Sequence, residues 1–175
     1  MAAQISIQDS LTESRKNVLR KAIVFDESAE KLRFEGKARF RVNAGRSARL
    51  LRALESALSV ETRLEEEKLF PYAGRRIPRL EVLLYYFRTE HGELHAQIQK
   101  LKFLLHLLER SSAAVFPAQV VQEARLGAMR LAAHVAEHIR QEDEELIAAL
   151  DAEFHLSEKK AFLRLVRSRP IMKRR

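Results

Sequence analysis

Four segments of this chain repeat an apolar residue every three or four positions over three or more turns. That spacing matches the 3.6-residue period of an α-helix and commits the chain to amphipathic helices. The first stripe runs Val18, Ala22, Phe25, Ala29 and Leu32, with Ser10 and Glu13 placed as a capping box ahead of it. The second helix is expected from Ser47 to Leu69, with Leu51, Leu54, Leu58, Thr62, Glu66 and Leu69 on one face. Pro71, Gly74 and Pro78 mark the following loop. A third helix from Pro78 to Ser111 carries Leu80, Leu84, Phe87, His91, Leu94, Ile98, Leu101, Leu105 and Leu108. A fourth, from Pro117 to Leu150, carries Val121, Ala124, Ala128, Leu131, Val135, His138, Glu142, Leu146 and Ala149. A short fifth helix is expected from Ser157 as its cap. Residues 34–45, interrupted by Gly36 and Gly45, read as an irregular link or a short extended piece. With 5 Gly and 4 Pro in 175 residues, the chain lacks the turn residues of a many-stranded sheet protein. The expectation is an all-α fold: an antiparallel up-down four-helix bundle over residues 1–157, then a basic C-terminal helix and tail over 158–175.

The informative residues are polar ones standing where the stripes require apolar ones. Glu66 interrupts the second stripe, His91 the third, and His138 and Glu142 the fourth. A buried carboxylate is costly unless it is paired or bound to a metal. A step of four residues returns to the same helix face, so His138 stacks on Glu142 and His91 on His95. Counted along the helix rise, His91 and His138 both lie about 30 Å from the connection between their helices. Adjacent antiparallel helices therefore bring them to one level. Imidazoles and carboxylates converging inside a bundle form a metal site of the iron or manganese type. The chain has no Cys, so thiolate ligands and cysteine nucleophiles are excluded. The candidate ligands are Glu66, His91, His95, His138 and Glu142, with His134 as a substitute. Asp26 and Glu30 are weaker carboxylate alternatives on the first helix. Glu65, Glu67, Glu144 and Glu145 read as exposed charges, Tyr85 and Tyr86 as packing residues, and His106 and His155 as structural or surface residues.

EEEKLFP at 65–71, TEHGELHAQIQKL at 89–101 and His138-x-x-x-Glu142 with Leu146 resemble, in order, the phrases of the hemerythrin-like HHE cation-binding family. The resemblance covers about residues 46–150. It implies a four-helix bundle holding non-haem iron, as a pair or as a single ion. The chain departs from the pattern in two places: Thr62 stands where the second-helix phrase has His, and no His precedes His91. Since dioxygen carriage in that family implies a centre richer in imidazole, the resemblance points to sensing or handling of oxygen, nitric oxide or iron, with a small gas as possible ligand. No nucleophile–base pair or cofactor loop indicates an enzyme.

A different class of function is also open at this level. A metal-free helical interaction module derived from such a bundle would keep the His and Glu residues as a hydrogen-bonded network. The net charge of +8 is concentrated in EKKAFLRLVRSRPIMKRR at 158–175, which holds eight Lys/Arg against one Glu. Such a tail suits an acidic protein partner or nucleic acid. No signal-peptide core and no apolar run of about 20 residues is present, which reads as a cytoplasmic protein without membrane insertion.

Overall fold

The computed structural model describes residues 6–34, 39–111 and 117–167. The elements are α1 (Ile7–Phe34), α2 (Phe40–Leu64), a π-helical segment Glu65–Leu69, α3 (Phe70–Arg76), a 3-10 turn Pro78–Leu80, α4 (Glu81–Arg110), α5 (Ala118–Gln141), a second π-helical segment Glu142–Ile147, α6 (Ala148–Glu153) and α7 (Leu156–Arg167). There is no strand among the described residues. The four long helices close a ring: α1 packs on α2 and α5, and α4 packs on the same two. At Gly127 the side chain of Leu101 comes so close that an added Cβ would lie 2.9 Å from its Cδ2, so glycine lets α4 and α5 approach there.

Apart from Thr62, Glu66 and Ala149, the stripes read from the sequence are the buried faces of these helices. Several boundaries differ, each for a local reason. The start of α1 is capped by Ser6 and, across the fold, by Asp151, rather than by Ser10 with Glu13. The Asp151 carboxylate accepts from the Ile7 N–H at 3.1 Å and the Ser6 hydroxyl at 3.1 Å, and Ser6 Oγ accepts from the Asp9 N–H at 3.4 Å. Helix α2 begins at Phe40, because Phe40, Ala44 and Ala48 extend its apolar face backwards past Gly45. Beyond Leu69 the chain stays helical through Pro71. This proline follows directly on a widened turn, where the hydrogen-bond register is already shifted and its missing N–H is tolerated. At the start of α7 it is Glu158 that caps, accepting from the His155 N–H at 3.0 Å; Ser157 lies inside the helix.

The apolar interior forms two clusters. One lies among α1, α2, α4 and α5, from Val18 and Leu32 to Leu131 and Ile139. The other gathers Ile7, Leu11, Leu69, Phe70, Leu84, Phe87, Leu146, Leu150, Phe154 and Phe162. Helix α7 belongs to the second: Phe162 is fully buried, Tyr72 donates to the Glu158 carbonyl at 3.0 Å and Lys68 to the Leu165 carbonyl at 2.9 Å. The most basic part of the C-terminal tail, 168–175, lies outside the described residues. No helix among the described residues is long and apolar enough to cross a membrane.

Asp151 gives a first expected result. Burial alone would raise its pKa, but the Ile7 N–H, Lys159 and the Ser6 hydroxyl hold it below the usual carboxylate value. Its contribution is therefore complete above that usual value and is lost as the pH falls through the depressed one. Asp151→Ala should cost about 1 kcal/mol, a typical loss for a helix cap, by urea denaturation at neutral pH. The gap between variant and parent should narrow in acid; a gap constant from neutral to strongly acidic pH would contradict the capping role.

Candidate metal centre

Between the two apolar clusters lies a polar layer. In it Glu65, His91, His138 and Glu142, all buried, each offer a ligand atom, and these atoms lie within 4.8 Å of one another. Glu65 and Glu142 each open a π-helical segment. In these segments the Phe70 N–H bonds to the Glu65 carbonyl, and the Ala148 N–H to the Asp143 carbonyl, five residues back instead of four. Such single-turn widenings concentrate at functional sites. Their effect here is visible in the burial pattern. Glu65, Leu69, Phe70, Ala73 and Ile77 are buried, and Glu142, Leu146, Ile147, Leu150 and Phe154 repeat the same offsets. The adjacent buried pair in each set marks the extra residue. Each widening lets a carboxylate face the interior without turning the following apolar stripe outward.

Two outer carboxylates orient the imidazoles. Glu66 Oε1 lies 2.7 Å from His91 Nδ1, and Glu90 Oε2 lies 2.9 Å from His138 Nδ1. A carboxylate accepts, so each Nδ1 carries a proton, and each imidazole in its neutral form presents Nε2 to the cluster. His91 Nε2 lies 3.4 Å from Glu65 Oε2, and although burial would lower the His91 pKa, Glu65 and Glu66 raise it overall. Packing fixes the rings further: Phe70 stacks on His91 at 5.7 Å, Phe87 meets His138 edge-on at 5.7 Å, and the two imidazole centroids are 4.9 Å apart. Glu90 is held in turn by the Tyr86 hydroxyl, which donates at 2.8 Å.

From α1 comes Arg15, a side chain only 3% exposed. Its guanidinium meets Glu142 Oε2 at 3.0 Å and Glu65 Oε1 at 3.2 Å, bonds Asp143, and has Nε 3.7 Å from Glu61 Oε1. Ser14 donates to the other Glu61 oxygen. Burial would lower the Arg15 pKa, but Glu142, Glu65, Asp143 and Glu61 together raise it, so the guanidinium stays charged. The carboxylates respond unequally. Burial and the neighbouring Glu65 push Glu142 well up, whereas Glu65, despite its burial, is held low by His91 and Arg15. Like charges this close do not both ionise unless more positive charge is supplied.

The residues present fit a metal ion on two counts. Glu65 Oε2, His91 Nε2 and Glu142 Oε1 are buried and have no hydrogen-bond partner. A buried polar atom without a partner is costly, and a cation held among these residues would satisfy all three. Two imidazole nitrogens and two carboxylate oxygens are also a borderline-hard donor set suited to iron, manganese or zinc.

Of the residues singled out in the sequence, His91, His138 and Glu142 are brought together. Glu66 is placed differently: its side chain is 43% exposed and bonds His91 Nδ1, while its neighbour Glu65, expected as a surface charge, is 1% exposed and faces the centre. His95 points to solvent. His134 is half-buried, bonded to Gln97 at 2.8 Å and 3.7 Å from Glu90. Glu30 pairs with Arg125, and neither it nor Asp26 reaches the cluster. Tyr86 is an outer partner of the site rather than a packing residue. The missing imidazole of the second helix falls at Glu61, which precedes Glu65 by four residues as His138 precedes Glu142. Thr62 lies one position aside.

Arg15, Glu61 and Glu90 were not among the sequence candidates. Arg15 does stand on an uninterrupted helical spacing, Leu11, Arg15, Val18, Ala22, Phe25, and a basic residue there is the same kind of signal that marks His91.

The family model of the hemerythrin HHE cation-binding domain matches residues 16–150. No curated protein matches the chain.

Proposed function

Because the chain belongs to the hemerythrin HHE cation-binding family, we propose that it binds non-haem iron at Glu65, His91, His138 and Glu142, and that it senses or handles oxygen, nitric oxide or iron rather than carrying dioxygen. The observation that carries this reading is the buried cluster of Glu65, His91, His138 and Glu142, whose ligand atoms lie within 4.8 Å of one another, with Glu65 Oε2, His91 Nε2 and Glu142 Oε1 lacking a hydrogen bond. Iron bound there supplies a one-electron redox couple and an affinity for small diatomic ligands. The chain's own residues do the rest. Glu66 and Glu90 hold the imidazoles in the tautomer that presents Nε2, and Phe70 and Phe87 wall the site with apolar rings. Only two imidazoles reach the cluster, which supports a role other than dioxygen carriage.

On the same reading the four long helices run alternately up and down. Residue pairs that move in opposite directions along neighbouring helices support this. Ser28 meets Ser47 while Ser14 meets Glu61, and Lys102 meets Glu55 while His91 meets Glu66.

The test is metal content. Protein produced with iron available and purified without chelator should retain stoichiometric iron by elemental analysis and show iron-dependent absorption. Protein that stays metal-free after anaerobic reconstitution with Fe(II) would overturn the proposal.

A further inference from the structure

The two interior carboxylates are each divided between two sides. Glu142 gives Oε2 to Arg15 and leaves Oε1 unpartnered; Glu65 gives Oε1 to Arg15 and leaves Oε2 unpartnered. Each therefore reaches from the guanidinium into the cluster with His91 and His138: Glu65 Oε2 lies 3.4 Å from His91 Nε2, and Glu142 Oε2, the oxygen on Arg15, also lies 3.8 Å from His138 Nε2. Carboxylates bridge two metal ions in this manner. Here one of the two positions is already filled by a cation belonging to the chain.

We infer that Arg15 is the built-in second cation of the centre: its guanidinium holds the place of a second metal ion, so the site takes one ion per chain. This inference rests on the metal reading above and adds the number of ions and the residue that sets it. The near-repeat of the two ligand-bearing segments explains the asymmetry. On one side His138 stands four residues before the carboxylate, and its ring belongs to the buried cluster. On the other, Glu61 stands at that offset, and its carboxylate turns to Arg15. Asp143, the remaining nearby acid, is also bonded to Arg15. Among the described residues, the acid oxygen left without a hydrogen bond on this side is Glu61 Oε1, and it lies 3.7 Å from Arg15 Nε, so a second ion would have to displace the guanidinium to use it together with Asp143.

Displacement is unfavourable. A guanidinium keeps its proton at any accessible pH, and its planar fork of donors matches several carboxylates at once. Removing the charge from among four acids, with Arg15 only 3% exposed, would strand buried like charges. Unlike a metal ion, the guanidinium offers no open coordination position and does not change oxidation state. The centre therefore has one redox-active ion and one inert positive charge beside it, which also tightens the hold of Glu65 and Glu142.

Mn(II) is the probe, with equilibrium dialysis and elemental analysis for stoichiometry and electron paramagnetic resonance for coupling. The full-length wild-type chain should bind one Mn(II) with the spectrum of an isolated ion. Arg15→Lys, which keeps a positive charge, should also bind one. Arg15→His removes the fixed cation and supplies an imidazole from α1; it should bind two, a doubling, with an exchange-coupled spectrum. Arg15→Met keeps the bulk without the charge and serves the same purpose should Arg15→His fail to fold by circular dichroism. Two coupled ions in the wild type, or a count of one in folded charge-removing variants, would overturn the role of Arg15 alone. A wild-type chain that takes up neither Mn(II) nor Fe(II) would overturn the metal reading with it.

Discussion

Glu65→Gln should leave the chain folded but without stoichiometric metal, while Glu66→Gln keeps its metal. The two glutamates are neighbours in sequence and opposites in environment. Glu65 is buried with one oxygen on Arg15 and the other unpartnered; Glu66 is nearly half exposed and bonds the outer nitrogen of His91. Turning Glu65 into an amide removes an anionic ligand and the charge that balances a cation. Its donor NH2 then faces either Arg15 or the ion, and neither accepts a hydrogen bond. Turning Glu66 into an amide weakens the orientation and basicity of His91, which for outer-shell partners costs about 10–100-fold in affinity. Titration of the apo proteins with Fe(II) under anaerobic conditions, followed by elemental analysis after desalting, separates the two. Metal retained by Glu65→Gln and lost from Glu66→Gln would reverse the assignment.

Phe162→Ala should destabilise the fold by about 3–5 kcal/mol, the usual cost of emptying an aromatic site in a core. The residue is fully buried on α7, with its ring 5.7 Å from that of Tyr72 and in one apolar cluster with Ile7, Leu11, Phe70 and Phe154. That cluster lies directly beside the polar layer, because Phe70 and Phe87 serve both. Helix α7 is on this account a wall of the site's compartment, despite its basic sequence. Urea denaturation at neutral pH measures the loss, with Leu156→Ala as the control. Leu156 is 53% exposed, so its truncation should change stability by no more than about 0.5 kcal/mol. A loss at Phe162 as small as at Leu156 would mean that α7 does not contribute to the core.

The helices and most of the site were legible in the sequence for one physical reason: burial imposes a period, and a polar residue on that period stands out. His91, His138 and Glu142, which the structure brings into one buried cluster, stand out this way. Glu65 does not, because Leu58 can continue to Thr62 and Glu66 or to Glu61 and Glu65, and both paths are helical and both reach Leu69. Only the widened turn chooses between them, and no local residue preference announces it. The adjacent buried pairs Leu69–Phe70 and Leu146–Ile147 are its trace, readable once both are laid side by side. Arg15 was missed for a different reason. A search for metal ligands looks for donors, and a cation inside a cluster of acids is visible only as their complement. Only part of the cap of α1 is local, the Ser6 hydroxyl that accepts from the Asp9 N–H; the other part, Asp151, lies on α6 and only the folded chain brings it there.

The two widened turns make the ligand-bearing helices intolerant of changes in length. Each residue advances a helix by about 100°, so losing one residue from 65–69 or from 142–147 is a rotation before it is a shortening. If the ligand side stayed in place, everything from Phe70 or Ile147 onward would turn its apolar stripe toward water. If the lower core stayed in place, the carboxylate would turn out of the centre. Substitutions can tune this site one property at a time, whereas insertions and deletions at these two places act on ligand and core together. A change of length is therefore expected to be tolerated in the links between helices rather than in these two turns.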